Sequence, residues 1–330
     1  KPLKKITSFF FNYKNKILEQ KILGIEFKNP IGLAAGFDYE AQLTQILPEV
    51  GFGFHTVGSI TLGKYEGNPS PQLARLPKSR SLLVNKGLKS TGTKSVLKNL
   101  RKKKFKIPLG ISIAKTNCKT NSTEKEAIED YAESLNLAKK SKIGHYYELN
   151  ISCPNTFGGE PFTTPKKLSA LLKRIDSLNL EKPLFLKMPV DFSTSQTSAL
   201  CEIAKKHKVQ GLIFGNLTKD RKNPLLNKEE VGKMGKGNFS GNPTKDRSNN
   251  LIKFAYKKYS KRFVIIGCGG VFTAQDAYEK IKLGASLIQL ITGMIYNGPG
   301  TISEINSGLT RLLKKDGYKN ISEVIGANNK

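Results

Sequence analysis

Short apolar, β-rich runs recur along the chain at regular spacing. Eight stand out: IGLAAGF (31–37), HTVGSIT (55–61), PLGISIA (108–114), YYELNIS (146–152), LFLKM (184–188), GLIFGN (211–216), FVIIGCG (263–269) and SLIQLIT (286–292). Such runs are the mark of strands buried on both faces. Between them, apolar residues at three- and four-residue spacing predict helices over 40–49, 123–141, 165–177, 194–207, 245–259 and 273–283. Strands that alternate with helices predict a parallel sheet. Eight such repeats fit an α/β fold of the (β/α)8 barrel type better than an open doubly wound sheet.

The first 23 residues read differently. Ile6, Phe9, Phe10, Tyr13 and Ile17 fall at helical spacing with lysines between them, the pattern of a basic amphipathic helix. Two units are therefore expected, a helical segment over 1–23 and a barrel over 24–330. A helix of this kind either packs across the barrel or lies on an anionic membrane surface.

Charge and cysteine usage narrow the function. The 330 residues carry 55 Lys and Arg against 26 Asp and Glu, a formal charge of +29. The lysines are scattered, RKKKFK (101–106) being the one true run, and there is no Trp. This reads as a solvated surface, and no specific nucleic-acid binding is expected. Cys118, Cys153, Cys201 and Cys268 are far apart with no CxxC, so neither a metal nor an iron–sulfur site is expected, and a reducing compartment is. No apolar run reaches the ~18–20 residues of a membrane span. No signal peptide is visible.

The unusual chemistry gathers at the C-terminal ends of the predicted strands: Asn150, Cys153, Lys187, Asn216, Gly269 and Thr292. That is the face where barrel enzymes build their sites. Glycine turns in IIGCGGVFTAQDA (265–277) and LITGMIYNGPG (290–300) follow the seventh and eighth strands and suit a phosphate-bearing cofactor, although glycines also serve plain turns. Lys187, after three apolar residues, either faces an anion or electron-rich ring or extends to the rim. Asn150, Asn155 and Asn216 would each offer donors and acceptors to a ring of amides and carboxylates. Cys153 sits between asparagines at the mouth of a Gly/Pro-rich loop. From an unperturbed pKa near ~8.5 its thiolate is within reach, to take a proton from carbon or attack a carbonyl. His55 and His145 lie at the starting ends of strands, so a lone thiolate base fits better than a Cys–His pair. Cys201 and Cys268 are expected in the core.

The segments NPIGLAAGFD, GFGFHTVGSIT, GNPSPQLARLP, LNISCPNT, FLKMPVD, GNLTKDR, FSGNP and IIGCGGVFTAQDAYEKIKLGASLIQL occur in order through nearly the whole chain. Together they resemble the dihydroorotate dehydrogenase family, FMN-containing (β/α)8 barrels of pyrimidine synthesis. The resemblance implies oxidation of dihydroorotate to orotate with FMN as cofactor. Ala34, Ala35 and Gly36 would pass along the flavin ring, and Ser59 would bond to it, with Ser112, Asn150 and Gly215 also binding the cofactor. Lys187 would stabilise the reduced ring. Gly241, Gly269, Gly270, Ile291, Thr292 and Gly293 would line the ribityl and phosphate side. Asn150, Asn155 and Asn216 would hold the pyrimidine, with Asn85, Lys86, Gly87 and Leu88 beside it. Cys153 would take the carbon-5 proton while carbon 6 gives hydride to the flavin.

Three departures qualify the resemblance. GNPSPQLARL and the basic N-terminal helix resemble the membrane-associated, quinone-reducing class, whereas a cysteine base is the habit of the soluble class. The electron acceptor is therefore read as quinone from the framework, with fumarate or a nicotinamide partner left open. Tyr39 stands where the family has lysine. VNKGLKS (84–90) replaces an asparagine-containing segment around the ring, and Lys86 or Lys89 is expected to supply the missing cation to the orotate carboxylate. The expected location is cytoplasmic, peripheral on the inner face of the cell membrane. Oligomeric state is left open. Two other readings survive the sequence: a flavin barrel acting on another dihydropyrimidine or an enone, and a non-catalytic basic binding protein.

Overall fold

The computed structural model describes residues 2–118, 123–157 and 159–329. Eight parallel strands close into a barrel in chain order: β1 (Ile31–Leu33), β2 (Phe54–Ile60), β3 (Leu109–Ile113), β4 (Tyr146–Asn150), β5 (Leu184–Met188), β6 (Gly211–Phe214), β7 (Val264–Cys268) and β8 (Leu287–Leu290). β8 returns to β1 through the pairs Ile288–Ile31 and Leu290–Leu33. Helices over Thr93–Leu100, Glu124–Ser141, Pro165–Asp176, Thr194–Lys205, Lys245–Tyr259, Ala274–Lys282 and Thr301–Lys315 accompany the strands. Three of these helices start at capping boxes written locally in the sequence, Thr123 with Glu126, Ser193 with Gln196 and Thr273 with Asp276.

Inside the barrel the side chains stack in layers, because alternate residues of each strand face inward. The lowest layer is apolar, with Phe54, Tyr146, Phe185, Ile213, Ile266 and Leu287. It is plugged by Phe27 from a hairpin of Gln20–Ile22 and Ile25–Phe27, whose ring meets Phe54 edge-on. Three of the large rings fit because the strand beside each offers a glycine. A Cβ on Gly32, Gly110 or Gly211 would lie 2.3 Å from the ring of Phe54, Tyr146 or Phe185 respectively. Above this layer stand polar groups, Thr56, Glu148, Lys187 and Gln289, all buried.

Two expectations need correction. The helix expected over 40–49 is replaced by a loop ending in a single 3-10 turn at Leu47–Val50. Asp38 explains this: its carboxylate accepts the Gln42 and Leu43 backbone N–H groups, Ala41 takes a left-handed conformation, and Pro48 removes a donor. The N-terminal helix runs only over Pro2–Phe11, and the segment expected to continue it to residue 23 turns extended at Gln20–Ile22. On the short helix Ile6, Phe9 and Phe10 are exposed, at 54%, 84% and 67% of their full surface. No helix among the described residues is long and apolar enough to cross a membrane.

One further element is new. A three-stranded antiparallel sheet joins Leu73–Leu76, Ser81–Val84 and Asn238–Gly241. It stands at the C-terminal mouth of the barrel and forms one wall of the cavity there.

Candidate active site

A cavity of about 420 Å³ opens at the C-terminal ends of the barrel strands. Its floor is made by Ser59, Asn150 and Lys187, which end or nearly end β2, β4 and β5. Asn150 donates its side-chain N–H to Ser59 Oγ at 2.8 Å, and Ser59 Oγ lies 2.8 Å from Ser112 Oγ. Ser152 donates both its backbone N–H and its hydroxyl to Asn150 Oδ1, at 3.2 Å each. The Asn150 carbonyl is fixed in turn by the Tyr131 hydroxyl at 2.7 Å. Ser59 on β2, Ser112 on β3 and Asn150 on β4 are thus tied together across three strands.

Of the residues singled out in the sequence, Ala34, Ala35, Gly36, Ser59, Lys86, Gly87, Leu88, Lys89, Asn150, Cys153, Asn155, Lys187 and Asn216 share this one cavity. So do Gly241, Gly269, Gly270, Ile291, Thr292 and Gly293 at its far end. Three do not line it. Ser112 acts from behind Ser59. Gly215 carries no side chain because a Cβ there would lie 1.8 Å from the Cys268 carbonyl oxygen, so it lets β6 close on β7. Asn85 is turned aside, accepting a hydrogen bond from Asn68 at 2.9 Å.

Cys153 follows β4 on the loop that faces the floor, with no histidine at hand. His55 is fully buried with both ring nitrogens unpartnered and its pKa is pushed down to about 3, so it stays neutral. His145 accepts the Leu109 N–H, and His207 pairs with Asp176 at 2.7 Å. The expectation of an easily reached thiolate is corrected by the structure. Burial pushes the Cys153 thiol up to about 11, although the Asn155 backbone N–H and the charge of Lys187 pull the other way. Cys268, expected in the core, lines the cavity instead, while Cys201 is fully buried as expected.

Asn155 and Asn216 face the cavity but spend much of their hydrogen bonding on the protein. Asn216 donates to the Ser152 carbonyl and hydroxyl at 2.9 and 2.7 Å, and Asn155 donates to the Val84 carbonyl at 2.9 Å. Asn155 also accepts from Asn238. Sequence reasoning missed the asparagines that pin this loop. Asn68 donates to the Asn155 carbonyl at 3.0 Å, and Asn117 accepts the Phe157 N–H at 2.8 Å while donating to the Gly87 carbonyl at 2.8 Å. Asn68 lies within a stretch of the sequence already read, GNPSP, and that was its only local signal.

Tyr39 and Lys86 meet across the cavity rim. Lys86 Nζ stands 4.6 Å from the centroid of the Tyr39 ring, and burial together with the neighbouring Lys89 lowers its pKa. Lys89 lines the same cavity. The outer end of the site is therefore cationic.

These features define a (β/α)8 barrel enzyme with a ligand cavity at the C-terminal ends of its strands. The sequence model of the family described as dihydroorotate dehydrogenase matches residues 17–313, and the chain belongs to that family of oxidoreductases. It is 39% identical over 328 residues to a dihydroorotate dehydrogenase (quinone) of Sulfurovum sp., covering 98% of this chain and 88% of the relative. It is 35% identical over 331 residues to the protein of the same name from Trichodesmium erythraeum, covering 97% and 86%. Among solved structures, DHODH from Eimeria tenella in complex with ferulenol superposes with a TM-score of 0.88 at 26% identity, covering 100% of this chain and 94% of that one.

Proposed function

We propose that the protein oxidises dihydroorotate to orotate in pyrimidine biosynthesis, with FMN in the cavity and a quinone as electron acceptor. One observation carries the reading. In a member of this family, a single cavity joins a thiol, a buried lysine and three glycine turns.

The residues fit a flavin. The volume is that of a cofactor pocket. Gly36 has φ +114°, and a Cβ there would meet only Ile291 Cδ1, at 3.6 Å, so Ala34, Ala35 and Gly36 leave a flat wall for a ring. Gly241, Gly269 and Gly270 all hold positive φ and expose backbone without side chains at the far end, beside Thr292 and Gly293. Ser59, Asn150 and Lys187 would meet the polar edge of the ring. Bound there, the flavin supplies the hydride acceptor for carbon 6 of the substrate.

Every other part of the reaction falls to the chain. Cys153 removes the carbon-5 proton. Its raised pKa makes it a strong base once ionised and leaves that form scarce at neutral pH, with the charge of Lys187 favouring it. Asn150, Asn155 and Asn216 orient the pyrimidine amides after exchanging part of their present hydrogen bonds. Lys86, with Lys89 behind it, takes the substrate carboxylate. The exposed Ile6, Phe9 and Phe10 of the N-terminal helix, beside basic Lys4 and Lys5, suit an anionic membrane surface from which quinone is drawn. On this reading the protein works in the cytoplasm, peripherally bound to the inner face of the cell membrane.

The test is anaerobic. The yellow protein is mixed with L-dihydroorotate and flavin absorbance is followed near ~450 nm, with Cys153→Ala alongside. Bleaching should be rapid and should slow by about 10²–10⁴-fold in the variant. A yellow protein that stays yellow would reject dihydroorotate as substrate. Sedimentation with anionic vesicles, lost in Phe9→Glu/Phe10→Glu, tests the membrane face, and wild-type protein left in the supernatant would reject it.

A further inference from the structure

Glu148 lies on the inner face of β4, two residues below Asn150, and is fully buried. A carboxylate at the axis of a barrel needs an explanation, since burial alone disfavours its charge. Its surroundings are directional. The Thr56 hydroxyl donates to Glu148 Oε1 at 2.6 Å, and so does the Gln289 side-chain N–H at 2.5 Å. Having given its only proton, Thr56 can only accept from the Tyr146 hydroxyl, 2.9 Å away. Gln289 also leans on Thr56 Oγ1 at 3.2 Å. The donors from Thr56 and Gln289 thus converge on one carboxylate oxygen, the arrangement that favours an ionised acid. Glu148 Oε2 has no hydrogen-bond partner.

Lys187 is buried on the adjoining strand β5, two residues beyond Phe185, the register partner of Glu148. Burial raises the pKa of Glu148, and the field of Lys187 is the largest influence opposing that rise, ahead of Thr56 and Gln289. The thiols of Cys153 and Cys268 feel the same lysine, and Cys268 also feels Glu148 and Lys280.

We propose that Glu148 is the buried counter-charge of Lys187, a positioning residue that sets the electrostatic potential at the cavity floor and so the balance between oxidised and reduced flavin bound above it. The inference rests on the flavin reading of the preceding subsection. An uncompensated lysine at the polar edge of a bound ring would favour the more negative, reduced form. Glu148 holds that preference back, leaving the electrons easier to pass on.

The experiment measures the midpoint potential of the bound flavin in Glu148→Gln, which keeps an oxygen for Thr56 but loses the charge. Reduced flavin should bind about tenfold tighter relative to oxidised flavin, a rise of ~30 mV for a two-electron couple. Lys187→Met should shift the potential the opposite way, and adding Glu148→Gln to it should have little further effect. Thr56→Val, which removes one donor and retains the volume, should shift the potential in the same direction as Glu148→Gln by less. It serves as the test should Glu148→Gln fail to fold. A flavin-loaded variant with unchanged potential, or an undiminished shift in the Lys187→Met background, overturns the inference and leaves the proposed reaction standing. A wild-type apoprotein that binds no FMN on titration overturns both.

Discussion

Lys86 Nζ rests 4.6 Å above the centre of the Tyr39 ring, and the two side chains make up the cationic rim of the cavity. The ring steadies the ammonium through its negative face, a contact worth about 0.5–2 kcal/mol. A charge-assisted bond to a substrate carboxylate adds roughly 1.5–3 kcal/mol. Lys86→Ala should therefore raise KM for dihydroorotate and Kd for orotate about 10–100-fold, with a smaller change in kcat. Tyr39→Leu should cost less, through lost orientation alone. Because burial and Lys89 depress the pKa of Lys86, orotate affinity should weaken on the alkaline side before the ordinary lysine range is reached. Orotate titrations from neutral to alkaline pH check this, and unchanged affinity in both Lys86→Ala and Lys89→Ala would remove these lysines from the substrate site.

Cys153 gives a second prediction, through its pH profile. With the thiol pushed up to about 11 in the free protein, the ionised base is scarce at neutrality and grows tenfold per pH unit. The logarithm of kcat/KM, which reports the free enzyme, should climb through pH 7–10 without levelling. Steady-state rates across that range decide the matter. A plateau near ~8.5, the unperturbed thiol value, would mean that the buried environment does not hold the thiol as described.

The strands were legible because the barrel buries both of their faces, so each reads as an apolar run; seven lie within two residues of their expected bounds, and the first, expected over 31–37, stops four residues early at Leu33. The same habit concealed Glu148: a charged residue inside YYELNIS was itself the signal that the barrel axis is polar. The sheet of 73–76, 81–84 and 238–241 was not legible. Its strands have four residues each, one carries Arg75 at its centre, and the pairing of Val84 with Asn238 spans half the chain. Asn68, Asn117 and Asn238 escaped for a related reason, since each acts on a loop far away in sequence. The failed helix over 40–49 shows apolar spacing overruled by one side chain, Asp38, which captures the two N–H groups that would begin it.

Packing inside the barrel supplies a third prediction. Gly110 faces the edge of the Tyr146 ring, and a methyl there would lie 2.3 Å from two ring carbons and 2.7 Å from the hydroxyl. The ring is boxed in by Phe185 and tied to Thr56, so it has little room to yield. Gly110→Ala should cost about 1–3 kcal/mol or more. Gly232→Ala, at a helical position with nothing within 4 Å, should be neutral or slightly stabilising. Urea midpoints of the two variants separate the cases, and adding Tyr146→Leu to Gly110→Ala should recover part of the loss.

Lys280 gives the last prediction. It is fully buried behind β7, where its ammonium meets only neutral partners, donating to Ser248 Oγ at 3.0 Å and Asn249 Oδ1 at 2.7 Å. Burial pushes its pKa down to about 8, with nearby Cys268 and Glu279 opposing the fall. Relative to the ordinary 10.5 this amounts to a charging cost on the order of 3 kcal/mol. Between pH 8 and 10.5 the unfolded chain holds a proton here that the folded chain has released, so stability rises with pH across that window and gains nothing further above it. Below about 8 both states are charged and the cost is present in full. Lys280→Met should therefore stabilise the protein at pH 7, and the gain should shrink as pH approaches 10. Because other lysines also titrate in this range, the reading is the difference in urea midpoint between variant and parent at each pH. A difference that stays constant from pH 7 to 10 would mean that Lys280 is not the group that titrates.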